Sequence, residues 1–207
     1  MNTPSLVTTA IATAAGLLGG VLAVYGIVRA ARPRLPADGL AWMVLANGGY
    51  VLLGLAAAVR APQGDGLRGA VFQGGVALLS AALGALSLSG ARDVKPRSGR
   101  SLASVALFVA WLGLLGLPPT AGFHARVLVY RSLLQNGWHG SLIFALAISV
   151  AGLIPAFSAL ALGCPGSLRG GRAFLAILLL AALLVIGLYP GFGLALGDFV
   201  ARGGRLH

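Results

Sequence analysis

Apolar residues arrive along this chain in long blocks, with the polar ones gathered in short stretches between them. A helix that crosses a hydrocarbon core about 30 Å thick needs roughly 20 apolar residues. Leu6 to Val28 is the first block of that length, ended by Arg29, Arg32, Pro33 and Arg34. Leu40 to Val59 is the second, closed by Arg60, Pro62 and Gly64. Ala70 to Ser89 is the third, and the most charged loop follows it: Arg92, Asp93, Lys95, Arg97 and, a little further on, Arg100. Leu142 to Leu162 is another, which Pro155 should kink by removing a backbone donor. Phe174 to Leu196 is the last, with Pro190-Gly191 loosening its final turns.

The stretch from Val105 to Leu134 differs. As one straight helix it would be about 45 Å long, more than one bilayer core. As two crossings, each would have about fifteen residues and no loop between them. Pro118 and Pro119 stand in its middle, each without an N–H. The pattern therefore predicts one crossing made of two half-helices, joined by an unwound Gly116-Leu117-Pro118-Pro119 segment. Broken backbone at membrane depth is tolerated only where protein buries it or where it lines a wet cavity. In transporters such breaks mark the ion pathway.

Composition supports the membrane reading. Of 207 residues, 58% are hydrophobic and only 9% are Asp, Glu, Lys or Arg, against about 25% charged in soluble chains. Mean hydropathy is +0.93. A small soluble enzyme is excluded, and the expected fold is an all-α integral membrane protein of about six transmembrane helices, the fourth discontinuous. The net charge of +11 would otherwise suggest nucleic acid as a partner. Here the bases sit singly or in small groups between apolar runs, with no basic face interleaved with aromatics, so no nucleic acid is expected. In the six-crossing topology one side collects Arg29, Arg32, Arg34, Arg92, Lys95, Arg97, Arg100, Arg169 and Arg172, while the other holds Arg60, Arg68, Arg202 and Arg205. The positive-inside rule puts the first group in the cytoplasm or matrix, and both termini outside. Met1-Asn2-Thr3-Pro4 has no basic residue ahead of the apolar run, unlike a cleaved secretory signal.

The scarce reactive residues narrow the chemistry. Cys164, the single cysteine, cannot by itself hold a structural zinc or an iron–sulfur cluster, and reads as an inert thiol. His124, His139 and His207 lack the spacing of a metal site. Asp38, Asp65, Asp93 and Asp198 all fall at or beyond the ends of apolar segments, so no carboxylate relay runs through the spans. Phosphate-binding and dinucleotide-binding glycine loops are missing, and the many glycines lie in apolar helices, where small residues let helices approach. No catalytic centre, metal or cofactor is expected in this chain.

Arg126 stands out, seven residues after Pro119. A basic side chain at the bilayer centre costs about 2.5–3.5 kcal/mol on insertion scales, so it should face the interior or a hydrated path. The rival reading is that it snorkels to the surface. Arg131, with Gln135 and Asn136 close behind, reads as an interfacial anchor. His124 is either a proton carrier, since histidine changes charge near physiological pH, or a hydrogen-bonded packing residue. Asn47 and Tyr50, Gln73 and Ser80, and Ser149 and Ser158 are milder polar groups, which usually hydrogen-bond between helices. Trp42 and Trp138 lie near span ends, where interfacial anchoring is the default. Arg126, His124, Asn47, Gln73 and Ser80 form the candidate proton path, and Gly116, Pro118, Pro119 and Gly122 the helix break.

The run from Leu112 through Gly116, Pro118, Pro119 and Gly122 to Phe123 resembles the broken-helix signature of the antiporter-like membrane subunits of respiratory complex I, most of all the subunit N branch. The second span, with Trp42, Asn47, Gly48, Gly49 and Tyr50, and the ending Gly187-Leu188-Tyr189-Pro190-Gly191 are similar to two other helices of that family. The resemblance implies one five-helix antiporter-type repeat over residues 1–163 and a closing helix with its tail over 164–207. The family's first repeat is missing, which implies a split or shortened subunit, with a separate chain as one source of the other half. It implies as partners the other membrane-arm subunits and lipids, a role in proton transport within NADH:ubiquinone oxidoreductase, and a mitochondrial inner membrane, with a bacterial plasma membrane as the alternative. A related cation/proton antiporter, a membrane-bound hydrogenase and a purely structural membrane-arm subunit remain alternatives. The family's ionisable lysine, four residues after the motif glycine, falls on Arg126. Lysine can release its proton when desolvated, whereas arginine keeps its charge. Arg126 can bias neighbouring titrations but cannot itself load and release a proton.

Overall fold

The computed structural model describes residues 5–33, 35–61, 65–89, 101–161 and 168–189, with 191 and 195. Among them the chain forms α1 (Leu6–Ala30), α2 (Pro36–Arg60), α3 (Gly66–Ser89), α4 (Leu102–Leu115), α5 (Ala121–Gln135), α6 (His139–Ala151), α7 (Leu153–Ala161) and α8 (Gly171–Leu188). Five stretches among the described residues are long and apolar enough to cross a membrane: α1, α2, α3, the α6–α7 pair and α8. The chain is a multi-pass membrane protein. Arg34, Pro62, Gly64, the basic loop with Arg92, Asp93, Lys95, Arg97 and Arg100, and Cys164 lie outside the described residues. So do Pro190, Asp198, Arg202, Arg205, His207 and the boundary expected at 163/164.

Local chemistry sets the helix ends. The side chain of Ser5 accepts from Thr8 N–H to open α1, and that of Ser101 accepts from Ser104 N–H to open α4. Both α4 and α5 end on a glycine with positive φ, Gly116 at 67° and Gly137 at 70°. At Gly116 the bonds run from Leu117 N–H to Leu112 O and from Gly116 N–H to Gly113 O. This is the Schellman pattern, which needs a left-handed residue that glycine adopts without strain. The same pattern closes α5, from Trp138 N–H to Leu133 O and from Gly137 N–H to Leu134 O.

The expected blocks all fall on helices, but α2 and α3 start four residues earlier than expected, at Pro36 and Gly66, and other differences follow. The unwound segment of the fourth crossing extends to Thr120, one residue beyond the expectation. The fifth span is interrupted at Gly152, between α6 and α7, rather than at Pro155 itself. A proline disturbs the turn before it, because its missing N–H and its ring both act on the carbonyl four residues back, here Ala151. The described part of the last helix starts at Gly171 and ends at Leu188.

Helices α3 and α2 form the centre. Helix α3 packs against α2, α4, α5 and α8, while α1 lies along α2. The α1–α2 contact is close because it is built on glycine: a Cβ on Gly49 would lie 2.4 Å from Gly19 O, and one on Gly19 2.7 Å from Gly49 O. Contacts at the far end of α5 fix its course. Arg131 Nε lies 3.1 Å from Asp65 Oδ2, Asn136 Nδ2 donates to Ala57 O at 3.3 Å, and Arg60 Cζ lies over the Trp138 ring, 5.5 Å from its centroid. The end of α5 therefore sits beside the α2–α3 turn. Helix α4 instead packs near the start of α2, where Trp111 lies against Gly39. The two halves together make one crossing. They also overlap sideways, since a Cβ on Gly122 would lie 2.0 Å from Gly113 O. Two half-helices of about 21 and 22 Å thereby fit one bilayer core.

Candidate functional site

The site begins with a carbonyl. In an uninterrupted helix Leu114 C=O would accept from the N–H of residue 118, and Pro118 has none. Two side chains fill the place. Arg126 Nη2 donates to Leu114 O at 2.7 Å, and Asn47 Nδ2 donates to the same oxygen at 3.0 Å. Both lone pairs are then used. Arg126 comes from the second turn of α5 and reaches back over the break, so its charge sits at the negative end of the α4 dipole.

Burial of the guanidinium is nearly complete, with Arg126 3% exposed. Of the two sequence readings, the interior one holds. Its Nη1 donates to Ser149 Oγ on α6 at 2.7 Å, and its Cζ lies 4.2 Å from the centroid of the Tyr50 ring, a cation–π contact. Its stem runs beneath Gly116, where an added Cβ would come within 2.4 Å of Arg126 Cδ. Gly116 thus serves the turn and the passage of the arginine at once. Arg126 Nε has no hydrogen-bond partner.

On the other side of Leu114 O the polar groups continue into α3. Gln73 Nε2 donates to Asn47 Oδ1, and Asn47 Nδ2 also donates to Met43 O at 2.8 Å. Gln73 Oε1 and Ser80 Oγ are buried without partners. Ser80 faces Gly113 so closely that a Cβ there would lie 2.3 Å from its Oγ. Arg126, Asn47 and Gln73 are therefore joined by direct bonds, and Ser80 borders the same break.

His124 is not part of this group. Two residues apart on a helix is about 200° of rotation, so His124 and Arg126 point opposite ways. His124 Nε2 lies 2.8 Å from Gly187 O on α8, a contact in which the ring nitrogen must be the donor. The structure favours its packing role. Arg131 sits at the helix end with its side chain 65% exposed, paired to Asp65, as an interfacial anchor should be. Sequence reasoning missed Tyr130, which reaches Ser149 from one turn beyond Arg126. The spacing i, i+4 was the available signal.

A buried fixed cation, a chain of amide and hydroxyl groups and an opened backbone can hold charge and orient hydrogen bonds. No protein-family model matches the chain. NADH-quinone oxidoreductase subunit N 1 of Solidesulfovibrio magneticus is 32% identical, across 87% of this chain and 42% of the relative. NADH-quinone oxidoreductase subunit N of Salinispora tropica is 35% identical, across 67% of this chain and 31% of the relative. The chain is a relative of subunit N. It spans less than half the length of the curated relatives it matches. Solved structures share the fold. The Mrp complex of a Dietzia species superposes with a TM-score of 0.80 at 18% identity, over 94% of this chain and 47% of that one. Respiratory complex I of Thermus thermophilus gives 0.65 at 24%, over 88% and 45%. The membrane-bound sulfane sulfur reductase, an archaeal respiratory membrane complex, gives 0.75 at 16%, over 94% and 42%.

Proposed function

We propose that the chain is an antiporter-like membrane-arm subunit of an NADH:quinone oxidoreductase, seated among the other membrane-arm subunits and lipids. Support comes from one coincidence. A chain similar to subunit N carries a helix broken at mid-crossing, with a buried cation on the freed Leu114 carbonyl. The subunit brings no redox centre of its own, so electrons pass through other chains while this one contributes a polar section of the membrane arm. The curated relatives are bacterial proteins, which favours a bacterial plasma membrane over a mitochondrial inner membrane.

One observation favours a second reading in which the subunit is a scaffold that moves no proton through this break. Arg126 is held by one hydrogen bond from each terminal nitrogen, and arginine does not release its proton under physiological conditions. The test of the main reading is an inventory by mass spectrometry of the detergent-extracted complex containing this chain. NADH-oxidising iron–sulfur subunits are expected beside it, with or without a separate chain supplying a first repeat. Antiporter or hydrogenase subunits in their place would overturn the assignment.

A further inference from the structure

Ser149 on α6 is the meeting point of more groups than a hydroxyl normally serves. Its Oγ lies 2.7 Å from Arg126 Nη1, 2.7 Å from Tyr50 Oη and 3.0 Å from Ala145 O, and it also contacts Tyr130 Oη. Tyr50 Oη lies in turn 2.8 Å from Ala145 O. A hydroxyl has one hydrogen to give and two lone pairs to receive with, arginine only donates, and a carbonyl only accepts.

Three hydroxyl hydrogens cannot fill four oxygen–oxygen contacts, and with the longest, Ser149 to Ala145 O at 3.0 Å, left without one, a single arrangement fills the other three. Arg126 fills the first lone pair of Ser149, and Tyr130 fills the second. Ser149 then gives its hydrogen to Tyr50, and Tyr50 gives its own to Ala145 C=O. Were Tyr50 to donate to Ser149 instead, Ser149 would give its hydrogen to Tyr130, and the 2.8 Å contact between Tyr50 and Ala145 C=O would hold no hydrogen. The direction is therefore Tyr130 to Ser149 to Tyr50 to Ala145, and it ends on a helix carbonyl that cannot pass a proton on.

We propose that this cluster is a proton seal: Ser149 is a positioning residue through which Arg126 locks two tyrosines into a one-way hydrogen-bond chain that closes the polar break at mid-membrane. Proton hopping along hydroxyls requires each to turn over after a transfer. Reversal here empties the Tyr50–Ala145 contact, and the guanidinium holds one Ser149 lone pair throughout. The fixed positive charge also opposes an arriving hydronium ion in a low-dielectric setting. The seal rests on this geometry and on the membrane setting, and does not depend on which complex contains the chain.

The experiment compares passive proton leak in sealed vesicles of the native membrane carrying the wild-type chain, Ser149→Ala or Ser149→Thr, at equal amounts of folded chain. Removing the hydroxyl frees Arg126 Nη1 and two phenols at once. Leak should rise on the order of tenfold, the factor equivalent to one lost hydrogen bond. Ser149→Thr, which keeps a hydroxyl, should stay near wild type. A second measurement needs no variant at Ser149. In a Tyr25→Phe/Tyr189→Phe background, ultraviolet resonance Raman of the two remaining tyrosines should show one phenol as donor only and one as both donor and acceptor. Leak from Ser149→Ala equal to wild type, or two phenols of the same hydrogen-bond state, would overturn the seal. If Ser149→Ala does not accumulate folded, the Raman pattern decides alone.

Discussion

At the scale of single residues the important fact is that Arg126 is buried among protein groups rather than water. Its two terminal nitrogens reach Leu114 O and Ser149 Oγ, and its plane meets Tyr50. Arg126→Ala removes these contacts and opens a cavity beside a broken backbone. It should lower stability by about 2–4 kcal/mol, read as a fall in the thermal midpoint of the chain in detergent. Asp65→Asn makes the useful contrast. Its partner Arg131 is exposed, so the same measurement should move by less than about 1 kcal/mol. Gly116→Ala places a Cβ at φ 67 and against the Arg126 stem. The left-handed backbone alone costs roughly 1–2 kcal/mol, and the overlap adds to it. A variant as stable as wild type would show that the turn and the arginine are not coupled. Arg126 could be singled out in the sequence because a buried charge in an apolar helix is rare. Its partners could not, because Ser149 and Tyr50 resemble any other mild polar groups until the helices are brought together.

At the scale of elements the double proline does two things. It ends α4 by withholding donors, and it leaves a carbonyl for side chains from α2 and α5. The replacement Pro118→Ala/Pro119→Ala returns both N–H groups, so α4 can continue and compete for Leu114 O. Far-ultraviolet circular dichroism should then show more helix and thermal unfolding a lower midpoint; unchanged spectra would mean that packing alone holds the gap open. The break itself was legible, since thirty apolar residues with two adjacent prolines have few other solutions. Its extension to Thr120 was not. Thr120 N–H and Oγ1 both bond to Leu117 O, and Oγ1 also approaches Leu112 O, contacts set by how the two halves overlap. The interruption at Gly152 was legible only in part: Pro155 announced a kink, and the turn before it took the distortion.

At the scale of the whole molecule, contacts between the end of α5 and the α2–α3 turn set the topology. Cysteines introduced as Ala61→Cys and Gly137→Cys, with Cys164→Ala removing the native thiol, should react with an impermeant maleimide from one side of the membrane, and Ser101→Cys from the other. Labelling of all three from one side would remove the single-crossing account of α4 and α5. Block lengths, prolines and the balance of charge along the chain determined that this is a multi-pass helical membrane protein with one broken crossing. Those properties are local, because hydrocarbon requires each helix to satisfy its own backbone wherever it lies. Tertiary structure alone decided that Asn47 joins Leu114 O and carries Gln73 with it, that His124 meets Gly187 O, and that Tyr130 and Tyr50 meet at the Ser149 oxygen. Such contacts depend on the rotation and depth of each helix against its neighbours, which an all-round apolar surface leaves unspecified and which close glycine packing and the overlap of the half-helices fix.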